Sequence, residues 1–172
     1  MIRPIAPDDV AALIRFHAKL SRHSIQMRYF YPHLSLSVEE VAHFTQVDGT
    51  NRVAYVVSRD GDIVAVGRYD RLDDLSASEV AFVVADDLQH HGIASFLLQR
   101  LASRAREVGI TTFCAEVRAD NAPILAVFHQ AGFPTQSIRE QGTVSVRMDI
   151  GCGRDGASER DAPVELGPPT VE

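Results

Sequence analysis

The chain has 172 residues, 45% apolar and 23% charged, with a formal net charge of −6. That is one domain's worth of chain, long enough to bury a core without staples. No apolar run approaches the roughly 20 residues of a membrane span, Met1-Ile2-Arg3-Pro4 carries no secretory stretch, Cys114 and Cys152 make no disulfide framework, and the acidic balance argues against nucleic acid as a partner.

Strands and helices interleave along the chain. Met1 to Ile5 is a short apolar strand candidate stopped by Pro4 and Pro7. Pro7-Asp8-Asp9 reads as a helix start, and Val10, Leu13, Ile14, His17 and Leu20 recur at helical spacing, so a helix is expected over 8–21. Ser24 to Phe30 is a second short helix, ended before Pro32. Ser37 followed by Glu40 is a capping box, with Val41 and Phe44 as the buried face behind it.

Strands are expected over 51–58 and 63–69, joined by Asp60-Gly61, a strong hairpin signal. Ser78 to Ala85 is a third long strand. The period then changes: Ile93, Phe96, Leu97, Leu101 and Ala105 mark a helix closed by Arg104, Arg106 and a left-handed Gly109. Thr111 to Val117 returns to strand. Asp120 or Asn121 caps a helix through Ala131, with Gly132 at its end. Residues 133–138 and 143–150 form a terminal hairpin. After Ile150 the chain turns rich in Gly, Pro, Asp and Glu. That composition cannot offset its own ordering entropy, so 1–150 is read as the domain and 151–172 as a flexible tail.

Chemistry concentrates between Glu79 and Ser95. A buried strand runs through a short loop directly into a helix. The loop, Gln89-His90-His91-Gly92-Ile93-Ala94, fits Gln/Arg-x-x-Gly-x-Gly/Ala. The first turn of a helix offers unpaired N–H groups and a positive dipole end. Small residues there let a pyrophosphate approach the backbone, and the Ser95 hydroxyl adds a donor. The loop is neither a Walker A sequence nor the three-glycine dinucleotide fingerprint. Read alone, it also fits a plain strand-turn-helix.

The arrangement of that loop, the later strand, Asn121 and Gly132-Phe133 resembles the GNAT superfamily of acyl-CoA-dependent N-acetyltransferases over residues 1–150. The resemblance implies an α/β (α+β) fold: a central mixed, mostly antiparallel sheet of about seven strands flanked by four to five helices. It implies acetyl-CoA as co-substrate and assigns cofactor contacts to Phe82, Val83, Val84, Gln89, His90, His91, Gly92, Ile93, Ala94, Ser95, Asn121 and Phe128. A narrower resemblance lies in Ser21-Arg22-His23-Ser24-Ile25-Gln26-Met27-Arg28-Tyr29-Phe30. That segment is similar to the Ser-x-x-Ser-x-x-x-Arg-Phe-Phe segment of Pat-type bacterial protein lysine acetyltransferases. Glu79 to Val84 and Asn121 to Phe133 are similar to two further segments of that group.

Acetyl transfer needs a neutral amine, and a lysine ammonium with a pKa of about 10.4 is almost wholly protonated at neutral pH. A base must take the proton. The resemblance places that base on Glu79, whose apolar neighbours Val80, Ala81 and Phe82 are expected to desolvate it. Many family members use a tyrosine as acid on the following helix; here Phe128 stands at that position and cannot donate. Arg28, Tyr29 and Phe30 are candidates for the acceptor side, with a helix end packed on the sheet as the alternative. The histidines lack metal-ligand spacing, so no metal is expected, and Cys114 reads as a buried small hydrophobe.

These readings converge on a cytoplasmic enzyme that moves an acetyl group to a protein lysine, the acceptor being a metabolic enzyme such as an acyl-CoA synthetase by analogy. The alternatives are a small-molecule amine N-acetyltransferase and a non-catalytic acyl-CoA-binding sensor, since the fold does not fix the acceptor. Lys19 is the only lysine, so self-acetylation would be confined to it and the N-terminus.

Overall fold

The structure, a computed structural model, describes residues 1–30, 33 and 35–151. Its strands are β1 (Ile2–Pro4), β2 (Arg52–Arg59), β3 (Asp62–Arg71), β4 (Ala77–Val84), β5 (Thr112–Arg118), β6 (Thr135–Glu140) and β7 (Thr143–Asp149). The helices are α1 (Val10–Lys19), α2 (Arg22–Tyr29), α3 (Val38–Thr45), α4 (Ile93–Glu107) and α5 (Ala122–Gln130). The strands form one seven-stranded sheet in the order β1-β2-β3-β4-β5-β7-β6. Every pairing is antiparallel except β4 with β5. The mixed, mostly antiparallel sheet is the expected one. The expected tail lies outside the described residues beyond Gly151, as does Cys152.

The parallel pair positions the site. Its ladder joins only Ala77, Ser78 and Glu79 to Thr112, Phe113 and Cys114. Beyond Glu79, β4 stays paired to β3 as far as Val84, and β5 stays paired to β7 as far as Arg118. The two strands therefore part in mid-sheet, and the β5-facing backbone edge of Val80–Val84 has no ladder partner. Backbone polar groups rarely stay unpaired away from water, so this edge is made for solvent or a ligand.

Two apolar layers flank the sheet. On one face α4 buries Leu97, Leu98, Leu101, Ala102 and Ala105 against Tyr69, Val80, Phe113 and Met148, and α5 adds Phe128. On the other, Leu13, Phe16 and Leu20 of the α1 region and Ile25 of α2 pack on Ala54, Val56 and Val66. The helix expected over 8–21 runs from Val10 to Lys19 behind a 3₁₀ turn at Pro7–Asp9. Its buried face is Leu13, Phe16, His17 and Leu20; Val10 and Ile14 are exposed. In α4 Phe96 is likewise exposed, and Leu98 and Ala102 take its place in the core. A helical period spans a wide arc, and only the curvature of the sheet beneath selects which part of it is covered.

The local stop and start signals hold. The capping box forms in both directions, Glu40 N–H to Ser37 Oγ at 3.1 Å and Ser37 N–H to Glu40 Oε2 at 2.8 Å. Val41 is buried and Phe44 half-buried. Gly109 and Gly132 close α4 and α5 with φ of 78° and 83°. The second helix begins earlier than expected, at Arg22, because Ser21 caps it by accepting from the Ser24 N–H at 3.1 Å. The final hairpin pairs Thr135–Glu140 with Thr143–Met148, so its first strand starts at 135 rather than the expected 133.

Candidate active site

The cleft opened by the parting of β4 and β5 encloses about 670 Å³. Its walls come from β4, the loop before α4, the first turn of α4, α5 and α2. Every residue assigned to the site from sequence lines it except His91, whose Nδ1 lies 2.7 Å from the Gln89 carbonyl oxygen instead. Phe82 and Phe128 form its apolar floor with ring centroids 6.1 Å apart; Phe128 is fully buried. A phenyl ring there packs and donates nothing.

The loop after β4 leads directly into the first turn of α4. His90 and Gly92 both take left-handed backbone angles, φ 64° and 76°. Gly92 is the N-cap of α4, so the first-turn N–H groups of α4 have no partners within their own helix. A Cβ on Gly92 would meet nothing within 4 Å, so glycine is required there by its positive φ rather than by crowding. At the far wall Asn121 caps α5, accepting from the Ile124 N–H at 3.4 Å. An acyl-CoA fits this arrangement: an unpaired strand edge for the amides of its arm, and a helix start beside two left-handed residues for its pyrophosphate.

The loop is also tied to α2. Asp86 Oδ1 accepts from Ser21 Oγ at 2.5 Å and Ser24 Oγ at 2.7 Å, and Oδ2 from the Ser21 N–H at 3.0 Å. Gln89 Nε2 donates to Ser24 Oγ at 2.9 Å and to the Val84 carbonyl at 3.3 Å. Burial pushes the Asp86 carboxyl up, but the Ser21 and Ser24 donors outweigh it and hold it below the ordinary range. Sequence reading grouped Ser21 and Ser24 by resemblance and missed this link, since nothing in either segment names its partner.

Glu79 is the third residue of β4 and the last to pair with β5. It lines the cleft at the point where the strands part. Its side chain is exposed, so Val80, Ala81 and Phe82 do not enclose it as expected. It has no hydrogen bond or ion pair among the described residues. Glu116, which sequence reading did not single out, also lines the cleft and accepts from Ser145 Oγ at 3.0 Å. Cys114 is half-buried rather than buried, 3.8 Å from an Arg147 guanidinium nitrogen.

On the opposite wall α2 brings Met27, Arg28, Tyr29 and Phe30 into the cleft. Phe30 ends the helix in a left-handed conformation, φ 66°. The Arg28 guanidinium lies 4.9 Å from the centre of the Tyr29 ring. Burial lowers its pKa from the ordinary guanidinium range, against the opposing pull of Tyr29, Glu79 and Asp70. Asp70 is itself engaged, accepting from Arg68 at 3.0 and 3.1 Å and facing His43 at 3.2 Å.

Comparison with known proteins agrees with this geometry. The chain is 28% identical over 158 residues to the acetyltransferase Pat of Mycolicibacterium smegmatis, an alignment covering 87% of this chain and 45% of that protein. The chain thus spans less than half the length of that relative. Its fold superposes on the crystal structure of the GNAT domain of S. lividans PAT with a TM-score of 0.81 and 36% identity, covering 86% of this chain and 89% of that one. It also superposes on a cAMP-binding acyltransferase from Mycobacterium smegmatis, with a TM-score of 0.61 and 27% identity, over 87% of this chain and 43% of that one. Residues 20–133 match the acetyltransferase (GNAT) family. The chain belongs to that family, whose enzymes transfer an acyl group from acyl-CoA to an amine.

Proposed function

We propose that this enzyme acetylates the Nε of a protein lysine, with Glu79 as general base and residues 1–150 as the catalytic domain. The observation that carries the reading is the placement of Glu79: a carboxylate without a partner among the described residues, at the point where the sheet opens onto the cleft. The likeness to the two Pat proteins supports a protein acceptor. A metabolic enzyme such as an acyl-CoA synthetase is the acceptor by analogy; the chemistry requires no more than a lysine that reaches the cleft.

In this reading Phe82, Val83 and Val84 offer backbone to the arm of acetyl-CoA, and His90 to Ser95 hold its pyrophosphate. The acceptor ammonium enters beside Glu79 and loses a proton to it, directly or through water. The amine lone pair then forms the new N–C bond at the thioester carbonyl, the C–S bond breaks as the thiolate leaves, and the nitrogen gives its second proton to water. Phe128 supplies no proton, so the thiolate takes one from water. The same reading puts the protein in the cytoplasm, with acetyl-CoA and a lysine-bearing protein as partners.

The test is mass spectrometry of a proteome incubated with the enzyme and isotope-labelled acetyl-CoA, run beside Glu79→Gln. Labelled lysines are expected with the wild type. The variant should lose about 10²- to 10⁴-fold in kcat while still binding acetyl-CoA. Full activity in Glu79→Gln removes the base assignment. Label on small amines alone favours a small-molecule enzyme, and acetyl-CoA binding with no label anywhere favours a sensor.

A further inference from the structure

Among the described residues, two charged side chains that line the cleft make no hydrogen bond and no ion pair. Glu79 is one. Arg28 is the other: among the described residues its guanidinium makes no hydrogen bond and no ion pair, although it is half-buried. The side chain lines both the main cleft and a smaller cavity beneath it, against Arg68, Ala81 and Phe82. Glu79 and Asp70 act on it at a distance, and Asp70 is already held by Arg68 and His43. A guanidinium carries five N–H donors in a fixed fork. No Arg28 nitrogen is both buried and unpaired, so these donors open onto the cleft, where water or a ligand meets them.

Arg28 is also held in place. It sits in the last turn of α2, whose start is fixed by the Ser21 cap and the Asp86 link, and its guanidinium rests on the Tyr29 ring. A cation restrained in this way loses little freedom on binding.

We propose that Arg28 anchors the acceptor by taking, in a two-pronged hydrogen bond, a carboxylate that the acceptor carries near its reactive amine. The inference rests on Glu79 as the group that receives that amine. The cleft then presents one free anion and one free cation, which a segment bearing one ammonium and one carboxylate complements. The fork geometry matches a carboxylate better than a lone carbonyl. The nearby Glu79 and Asp70 oppose a doubly charged phosphate. A polyamine fits poorly, since a second ammonium would meet Arg28. On a protein, the preferred acceptor is a lysine with an aspartate or glutamate beside it.

The experiment uses the full chain and peptides with a single lysine, each made with glutamate or its glutamine twin at one flanking position. Free lysine and cadaverine, its twin without the carboxylate, complete the set. The wild type should favour at least one glutamate peptide by roughly tenfold to a hundredfold in kcat/KM. That ratio should fall to near one in Arg28→Gln and to an intermediate value in Arg28→Lys, which keeps the charge but not the fork. Acetyl-CoA affinity by calorimetry reports whether each variant is folded. Equal rates for every pair in the wild type, or a ratio that survives Arg28→Gln, overturn the anchor and leave the lysine reading standing. No acetylated peptide overturns the lysine reading; the anchor then stands if lysine is favoured over cadaverine and falls if it is not.

Discussion

Ser24 Oγ donates to Asp86 Oδ1 at 2.7 Å across 62 residues of sequence, and the same hydroxyl accepts from Gln89 Nε2 at 2.9 Å. One side chain thus joins α2 to the loop that leads into α4. Asp86→Ala should remove the join. Because Asp86 is exposed and screened, the expected loss of stability is only about 1 kcal/mol. The larger effect should be a several-fold rise in the KM for acetyl-CoA, measured by steady-state kinetics. The Asp86 pKa is lowered in the folded state from the ordinary 3.8. Its contribution is therefore present above that pH and lost as pH falls through the folded value.

Gly92→Ala tests the loop's backbone. Nothing lies within 4 Å of the added Cβ, so the whole cost comes from φ of +76°. The expected loss is roughly 1–2 kcal/mol, seen either as weaker acetyl-CoA binding in calorimetry or as a lower melting temperature. An alanine variant equal to wild type in both would show that the loop relaxes freely.

Gly67→Ala tests the floor of the cleft from beneath. A Cβ there would lie 3.0 Å from the Phe82 ring and 3.1 Å from Leu97 Cβ. Phe82 packs on Phe128 and lines the cleft. Overpacking of this kind costs about 1–3 kcal/mol. Chemical denaturation should show that loss, and acetyl-CoA affinity should drop with it because Phe82 has to shift.

His17 makes stability depend on pH. It is buried in α1, with ring centroids 5.8 Å from Tyr29 and 5.5 Å from His33. Burial lowers its pKa below 6.5, His33 adds to the fall, and Glu40 opposes it. Between the folded and unfolded values the unfolded chain binds more protons, so stability declines as pH drops through 6.5. Melting curves of wild type and His17→Gln should converge toward acid as the wild type loses this increment. Parallel curves from neutral pH down to about pH 5 would show that His17 does not carry the effect.

Much of the fold was legible because local rules decide it. The Ser37–Glu40 capping box, the Asp60-Gly61 turn and the left-handed glycines at 109 and 132 depend on neighbours within a few residues. The loop from Gln89 to Ala94 announced itself in the same way, as a small-residue helix start after a buried strand. Phe96 and Leu98 were harder: both lie within the apolar arc of α4, and only the sheet beneath decides that Leu98 is covered and Phe96 exposed.

By itself the sequence determined the order of strands and helices, the small-residue loop at the start of α4 and the residue types present along β4, since these follow from periodicity, capping and side-chain chemistry. Tertiary structure alone decided where they meet. The parting of β4 from β5 after Glu79 creates the cleft, and it arises from strand pairing between segments far apart in the chain. The Ser24–Asp86 join and the unmatched charge of Arg28 have the same origin. Contacts across such separations are selected by packing of the whole sheet, which no local pattern encodes.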